Sequence, residues 1–183
     1  MMRPAVFLDR DGTLIEERGY LDRIELLEVF PFAADALRLL TRAGFATVVI
    51  TNQAAIGRGI IDEPFLADVH RELDARLARG RGRIDRYFYC PHHPDAGCVC
   101  RKPKSGMILQ ACQEMGLDPA RSVMVGDRWL DVRCGQGAGT RTVLVRTGHG
   151  AHEEANAPGD VRADAILNNL MEAVGWILRS SSR

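Results

Sequence analysis

Residues 5–14 read AVFLDRDGTL and join a short apolar run to a dense group of charges. The run AVFL has the length and apolar character of a buried strand, and Asp9 and Asp11 follow it directly. Gly12 allows a tight turn there and a close approach of the backbone to a ligand. The stretch predicts a strand that delivers two carboxylates to one edge of a sheet. Taken alone, the D-x-D-G pattern also fits a plain turn or a calcium-type loop.

The rest of the chain alternates similar apolar runs with helical patterns. We predict further strands at 45–50, 86–89, 122–126 and 141–145, and helices at 33–43, 63–79, 105–115, 129–138 and 164–178. Strands that alternate with helices favour an α/β fold with a parallel sheet covered on both faces. No internal repeat or domain-sized linker divides the sequence, so we expect one domain over residues 1–183.

The composition narrows the classes of function. The chain carries 24 Lys and Arg against 24 Asp and Glu, so its net charge gives no attraction to nucleic acid or to an acidic membrane. We therefore expect neither partner. The first residues contain an apolar run too short for a signal peptide or a membrane span, which predicts a cytoplasmic protein. A monomer is expected because the sequence shows no conspicuous extra apolar surface.

Polar residues follow several of the predicted strands. Asp9 and Asp11 follow the first, Thr51 and Asn52 the second, and Asp127 the strand at 122–126. Ligands of such sheets gather at the carboxyl ends of the strands. Aspartates brought together there would make an oxygen-only site suited to Mg²⁺. One of them could attack phosphorus as a nucleophile while a second serves as general acid and base.

A cysteine-rich stretch, CPHHPDAGCVC at residues 90–100, follows the strand at 86–89. Cys90 and His92 are two residues apart, as are Cys98 and Cys100, and residues two apart point to the same side of an extended chain. Four nitrogen and sulfur ligands make a closed tetrahedral site, which is the arrangement of structural zinc. Reduced cysteines packed without a metal remain the alternative.

Four stretches in order, FLDRDGTL, VVITNQ, RKP and MVGDRWLD, resemble the motifs of the haloacid dehalogenase (HAD) superfamily of phosphatases. The resemblance runs from residue 5 to about residue 148. It implies a Rossmann-like core, Mg²⁺ dependence and phosphoryl transfer through an aspartate. Residue by residue it implies Asp9 as nucleophile, Asp11 as general acid and base, Thr51 and Asn52 as ligands of the transferring phosphoryl group, Lys102 as its counter-charge, and Asp127 as the residue that completes a Mg²⁺ shell with Asp9 and Asp11.

Asp131 lies four residues after Asp127, one turn into the predicted helix at 129–138. From there it could orient the waters bound to the metal. A solvated carboxylate on the helix surface is the alternative.

Within the superfamily, CPHHP followed by CxCRKP resembles the heptose bisphosphate phosphatases and the histidinol-phosphate phosphatases, which carry a zinc-binding loop in place of a large cap domain. The resemblance selects Cys90, His92, Cys98 and Cys100 and leaves out His93. Three further stretches favour the heptose enzymes, namely RGYL at 18–21, TNQAAIGRG at 51–59 and LVRTGHG at 144–150. The implied reaction removes the 7-phosphate of a heptose bisphosphate on the route to nucleotide-activated heptose.

A small sugar bisphosphate would be held by a few loops. Arg101 and Arg128 could grip the distal phosphate with bidentate hydrogen bonds, or could form ordinary surface salt bridges. Residues 16–30 are expected to form a flap whose Gly19 and Tyr20 touch the substrate. Three alternatives stay open: a phosphatase for histidinol phosphate or another small monoester, a polynucleotide 3′-phosphatase, which the neutral charge disfavours, and a zinc-dependent interaction module with a degenerate active site.

Overall fold

The protein is built on one parallel sheet. The computed structural model describes residues 2–181. Its strands are β1 (Ala5–Leu8), β2 (Ala46–Asn52), β3 (Arg86–Cys90), β4 (Val123–Gly126), β5 (Arg141–Val145) and β6 (Ala165–Leu167). They lie in the order β3-β2-β1-β4-β5-β6, and every neighbouring pair is parallel. A parallel sheet with this strand order is the Rossmann-like α/β arrangement that the sequence predicts.

Helices cover both faces of the sheet. They are α1 (Ala33–Arg42), α2 (Ala54–Gly57), α3 (Glu63–Arg79), α4 (Gly106–Met115), α5 (Trp129–Gly137), α6 (Gly150–Ala155) and α7 (Leu170–Ser181). Side chains of β1 alternate between the faces, as the period of a strand requires. Val6 and Leu8 join the core under α1, α3 and α7, whereas Ala5 and Phe7 join the core under α4 and α5.

The five predicted strands and the four helices predicted before residue 140 are confirmed, with bounds that differ by at most two residues. Helix α3 spans 63–79 as predicted. It begins at a true cap, because Asp62 accepts a hydrogen bond from the backbone N–H of Phe65 at 2.8 Å.

The prediction of one helix over 164–178 is wrong for its first six residues, 164–169. Residues 165–167 form the edge strand β6, which pairs with β5, and α7 begins only at Leu170. Asp164 anchors this strand, since it accepts hydrogen bonds from the backbone N–H and the hydroxyl of Thr142 at 2.7 and 3.1 Å. Three residues are too few to show a strand period, so the pairing with β5 decides their conformation.

The strand order reverses between β1 and β4. The chain runs from β1 outward to β2 and β3 on one side, and from β4 outward to β5 and β6 on the other. Leu8 of β1 is in register with Val125 of β4, and the N–H of Asp9 donates to the carbonyl of Val125 at 2.9 Å. Asp9 and Asp127 therefore leave the sheet side by side at its carboxyl edge. Ligands of open α/β sheets bind at this switch point.

None of the helices in residues 2–181 is long and apolar enough to cross a membrane.

Candidate active site

Three buried carboxylates meet at the switch point. Asp9, Asp127 and Asp131 each offer an oxygen within 4.8 Å of the others, and they are only 7%, 1% and 0% exposed. Asp9 follows β1, Asp127 follows β4, and Asp131 lies in the first turn of α5. The structure thus excludes a solvated Asp131. Its Oδ2 instead accepts the backbone N–H of Arg128 at 3.0 Å, which fixes the start of α5.

Two glycines make room for these carboxylates. A Cβ on Gly12 would lie 2.1 Å from Oδ2 of Asp127, and a Cβ on Gly148 would lie 2.2 Å from the same oxygen. Both glycines have positive φ, 79° and 57°. The tight turn predicted at Gly12 is confirmed, and no other residue type fits there without displacing Asp127.

Lys102 supplies the positive charge of the group. Its Nζ lies 2.8 Å from Oδ1 of Asp9 and 2.7 Å from Oδ1 of Asp131, and it donates to the carbonyl of Ile50 at 2.8 Å. The side chain is 1% exposed. Burial alone would lower the pKa of Lys102, but the adjacent carboxylates of Asp131 and Asp9 outweigh it and raise the pKa above its usual value.

One ammonium group does not neutralise three carboxylates. Burial raises the pKa of Asp9 to about 7, with the charges of Asp131 and Asp11 adding to the rise and Lys102 opposing it. Burial likewise raises the pKa of Asp127 to about 9, and the charges of Asp9 and Asp131 add to this rise. Oδ1 of Asp127 is buried and has no hydrogen-bond partner among residues 2–181. Oxygen donors with excess negative charge and an unpaired buried oxygen fit a hard divalent cation.

Asp11 lies beside this group and not within it. Arg10 donates from Nε and Nη2 to its two carboxylate oxygens at 3.1 and 3.0 Å, and Gln53 donates to Oδ2 at 3.2 Å. Arg10 itself is 1% exposed and reaches Nε2 of His70 at 3.4 Å. Sequence reasoning placed Asp11 with Asp9 and Asp127 and did not single out Arg10, Gln53 or His70.

Thr51 and Asn52 stand at the end of β2, as predicted. Oγ1 of Thr51 accepts from Nε2 of Gln53 at 2.8 Å. Asn52 exchanges two hydrogen bonds with the backbone of Lys102, at 3.1 Å to its carbonyl and at 3.0 Å from its N–H. Asn52 therefore fixes the segment that carries Lys102.

A cavity of about 420 Å³ opens above these residues. It is lined by residues that the sequence singled out, namely Asp9, Asp11, Gly19, Tyr20, Thr51, Asn52, Arg101, Lys102, Asp127 and Arg128. It is also lined by residues that sequence reasoning missed, among them Glu17, Arg58 and His149. Arg58 lies in the stretch TNQAAIGRG and His149 in the stretch LVRTGHG. The sequence pointed to these two residues only through the resemblance of those stretches to the heptose enzymes.

The segment expected to form a flap has a fixed base and an exposed tip. At the base, Glu16 donates its N–H to the carbonyl of Glu28 at 2.8 Å, and Leu27 is buried in the core. At the tip, Glu17 accepts the N–H of Gly19 at 2.6 Å and lies 3.6 Å from Nε2 of His149. Only the tip lines the cavity, so substrate contact from this segment would come from residues 17–21.

The second group of metal-ligand side chains lies in the cysteine loop, residues 90–100. Cys90, His92, Cys98 and Cys100 place one donor atom each within 4.8 Å of the others. Neighbouring donors are 3.3–3.5 Å apart, and all the cysteines are free thiols. That spacing is close to the edge of a tetrahedron around one zinc-sized ion. His93 is outside the group.

Two thiols of the cysteine loop have pKa values shifted in opposite directions. Burial, with hydrogen bonds to the sulfurs of Cys90 and Cys98, raises the pKa of Cys100 to about 12. Burial alone would raise the pKa of Cys98, but hydrogen bonds from the backbone of Arg101 and from its neighbouring ligands outweigh it and lower the pKa to about 6. A thiolate is the form that binds a metal. Nζ of Lys104 braces the loop by donating to the carbonyls of Gly97 and Cys98 at 3.0 and 2.6 Å. Four protein donors close the site, as in structural zinc centres.

Comparison with known proteins agrees with this geometry. A family model described as HAD-hydrolase-like matches residues 99–173. Two D-glycero-beta-D-manno-heptose-1,7-bisphosphate 7-phosphatases, from Haemophilus influenzae and Yersinia pestis, are each 40% identical to this chain. The alignments cover 93% and 92% of this chain and 95% and 92% of those enzymes.

A solved structure extends the comparison. The D,D-heptose 1,7-bisphosphate phosphatase from B. bronchiseptica, complexed with magnesium and phosphate, is 30% identical and superposes with a TM-score of 0.90. The alignment covers 97% of this chain and 99% of that one. The chain is thus similar along almost its whole length to these three heptose bisphosphate phosphatases.

Proposed function

Because this chain belongs to the family of D-glycero-beta-D-manno-heptose-1,7-bisphosphate 7-phosphatases, it is an HAD-type phosphatase, and we propose that it removes the 7-phosphate of D-glycero-D-manno-heptose 1,7-bisphosphate. The observation that carries the proposal is the pairing of a buried Asp9 with Lys102 at one side of a cavity whose other lining residues include arginines. Asp9 can attack one phosphate ester of the substrate while the arginines hold its second phosphate.

Asp9 is the proposed nucleophile. Its Oδ1 is held by Lys102 and by the N–H of Arg10 at 2.8 Å, so the carboxylate is oriented and Oδ2 is left for attack on phosphorus. A bond forms from Oδ2 to phosphorus as the bond from phosphorus to the sugar oxygen breaks. Asp11 gives the departing oxygen its proton and then takes one from the water that hydrolyses the aspartyl phosphate. Inorganic phosphate leaves and Asp9 is restored.

The proposed cofactor of this site is Mg²⁺. The donor set of oxygens and the unpaired, buried Oδ1 of Asp127 support it. Asp9 and Asp127 would hold the ion, with Asp131 adjacent and with Asp11 as a further ligand if its carboxylate leaves Arg10. When bound, Mg²⁺ neutralises charge on the phosphate and on the carboxylates.

The remaining contacts divide between the two ends of the substrate. Thr51 and Asn52 would bind the phosphoryl group that is transferred, and Lys102 would balance its charge. The proposed contacts of the sugar and its distal phosphate are Arg101, Arg128, Gly19 and Tyr20, all of which line the cavity. We propose one catalytic domain, with the tip of the 16–30 segment as its flap.

We propose that the cysteine loop holds a structural Zn²⁺ through Cys90, His92, Cys98 and Cys100. Lys102 follows this loop by two residues, so an ordered loop would place it against Asp9. The free thiols that such a site needs persist in a reducing compartment, which supports a cytoplasmic location.

The curated relatives are named for the beta anomer, which we propose for this chain as well. The test is a comparison of kcat/KM for the beta and alpha anomers of the bisphosphate and for histidinol phosphate. The expected result is highest efficiency with the beta anomer. A higher value for histidinol phosphate would overturn the proposed substrate, and no phosphate release from any of the three would favour an interaction module.

A further inference from the structure

Arg58 lines the same cavity as Asp9. The side chain is exposed and forms no hydrogen bond or ion pair within residues 2–181. By contrast Arg128, another arginine of the cavity, lies 3.8 Å from Glu153. A guanidinium group that lines a substrate cavity without a protein partner keeps all its N–H donors for a ligand.

Arg101 offers a complementary signal. Its Nη1 is buried and has no hydrogen-bond partner in the described chain. A buried N–H without an acceptor is unfavourable, and a charged one more so, unless a ligand completes it. The ligand that suits two guanidinium groups is an anion with several acceptor oxygens, such as a phosphate.

The two arginines are held by segments that touch. Arg58 caps the end of α2, and Gly57 before it lies against the cysteine loop. A Cβ on Gly57 would lie 2.3 Å from the backbone N of His93 and 2.7 Å from the carbonyl carbon of His92. Arg101 follows directly on that loop. The cysteine loop therefore packs against the residue before Arg58 and leads directly into Arg101, and both arginines line the same cavity.

We infer that Arg58, together with Arg101, forms the subsite for the phosphate that is not transferred, and that Arg58 determines preference for a bisphosphate over a monophosphate. The inference rests on the proposed function, because only a substrate with a second phosphate would use the subsite. Arg58 does not touch the reacting atoms in this scheme. Its effect belongs to substrate recognition.

The test compares two substrates, heptose 1,7-bisphosphate and heptose 7-phosphate, in wild-type protein and in Arg58→Ala. Loss of charge-assisted hydrogen bonds should lower kcat/KM for the bisphosphate by about 10- to 100-fold. The ratio of bisphosphate to monophosphate efficiency should fall nearly as far. Arg58→Lys should recover part of the ratio, since a lysine keeps the charge but not the planar fork. Arg42→Ala, an arginine at the end of α1, is the matched control and should change neither value.

Equal losses with both substrates, or no loss with either, would overturn the subsite. A wild-type enzyme that does not cleave the bisphosphate at all would instead refute the proposed function. A Gly57→Ala variant tests whether packing against the cysteine loop positions Arg58. It should lower the ratio of bisphosphate to monophosphate kcat/KM, because the added Cβ would force α2 away from the cysteine loop. Gly159→Ala, where a Cβ meets nothing within 4 Å, is its control. An unchanged ratio in Gly57→Ala at full zinc content would contradict the placement of Arg58 by that loop.

Discussion

Lys102 and Asp9 form an ion pair of 2.8 Å at a point where the lysine side chain is 1% exposed. The partners come from distant parts of the chain, the end of β1 and the segment after the cysteine loop. A buried ion pair of this kind orients a carboxylate at the cost of desolvating both charges. We therefore expect the pair mainly to orient Asp9, whereas loss of one partner alone would leave a buried charge unpaired.

Asp9→Asn should lower kcat by at least about a thousandfold, because an amide cannot form the acyl phosphate. A phosphate-release assay should show the loss of activity, and circular dichroism should show that the fold is retained. Asp68→Asn, on the outer surface of α3, is the control and should keep full activity. Turnover retained in Asp9→Asn would rule out Asp9 as the nucleophile.

Lys102→Met should lose both activity and stability. It leaves the carboxylates of Asp9 and Asp131 buried without their cation, which costs about 3–5 kcal/mol when one partner of a buried pair is removed. Urea unfolding at pH 8 measures the loss. Lys104→Met removes the neighbouring lysine and only its exposed contacts with the cysteine loop, so it should cost much less. A Lys102→Met protein as stable as wild type would mean that the carboxylates are not charged in the fold.

Without Mg²⁺ the protein should lose stability as pH rises. The pKa of Asp9 is raised to about 7 and that of Asp127 to about 9, so the folded chain binds more protons than the unfolded chain from about pH 4 upward. The free energy of unfolding then falls as pH rises, by about 1.4 kcal/mol per pH unit for each group, until the pH passes the folded pKa.

Thermal unfolding from pH 5 to pH 9 measures this slope. Saturating Mg²⁺ should flatten it, because the ion favours the charged carboxylates. Asp127→Asn in Mg²⁺-free buffer should flatten it above pH 7, where Asp127 is the group still titrating. A Tm that rises from pH 5 to pH 9 in the Mg²⁺-free wild type would contradict the prediction.

Cys98→Ser should reduce zinc content below the expected value of about one ion per chain. Activity at saturating Mg²⁺ should fall with it, since the cysteine loop positions Arg101 and Lys102, and Tm should fall because metal binding is coupled to folding. Metal analysis and phosphate release are the measurements. Cys112→Ser, in α4 and outside the ligand group, should keep its zinc. Zinc loss with full activity would show that the loop has no part in placing the cations.

Arg10→Gln should damage leaving-group protonation, because Arg10 holds both oxygens of Asp11. The value of kcat/KM reports steps up to the first phosphoryl transfer. It should fall by about 100-fold for the sugar phosphate, whose oxygen needs a proton to leave. It should fall much less for p-nitrophenyl phosphate, whose phenolate leaves unprotonated. Arg83→Gln, an exposed arginine, is the control. Equal losses with both substrates would assign Arg10 a structural role only.

Local patterns predicted the sheet and the helices well. Strand β1 is apolar on both faces, and helix α3 begins at the capping residue Asp62. A few neighbouring residues are therefore enough to recognise each of these elements. Strand β6 was not predicted because its conformation depends on pairing with β5, and its three residues alone do not indicate that pairing. The clustering of Cys90, His92, Cys98 and Cys100 was predictable because each pair is two residues apart, and residues so spaced point to the same side of an extended chain.

The order of the elements and the polar residues that follow each strand could be predicted from short stretches of sequence, because backbone period and strand ends are local properties. Which of those polar residues meet depends on the fold. It brought Asp131 against Asp9 and Asp127, paired Asp11 with the buried Arg10, and set Gly57 against the cysteine loop. Such contacts depend on how separate loops pack and on where a buried charge finds its partner. These are properties of the folded chain and not of any one stretch of it.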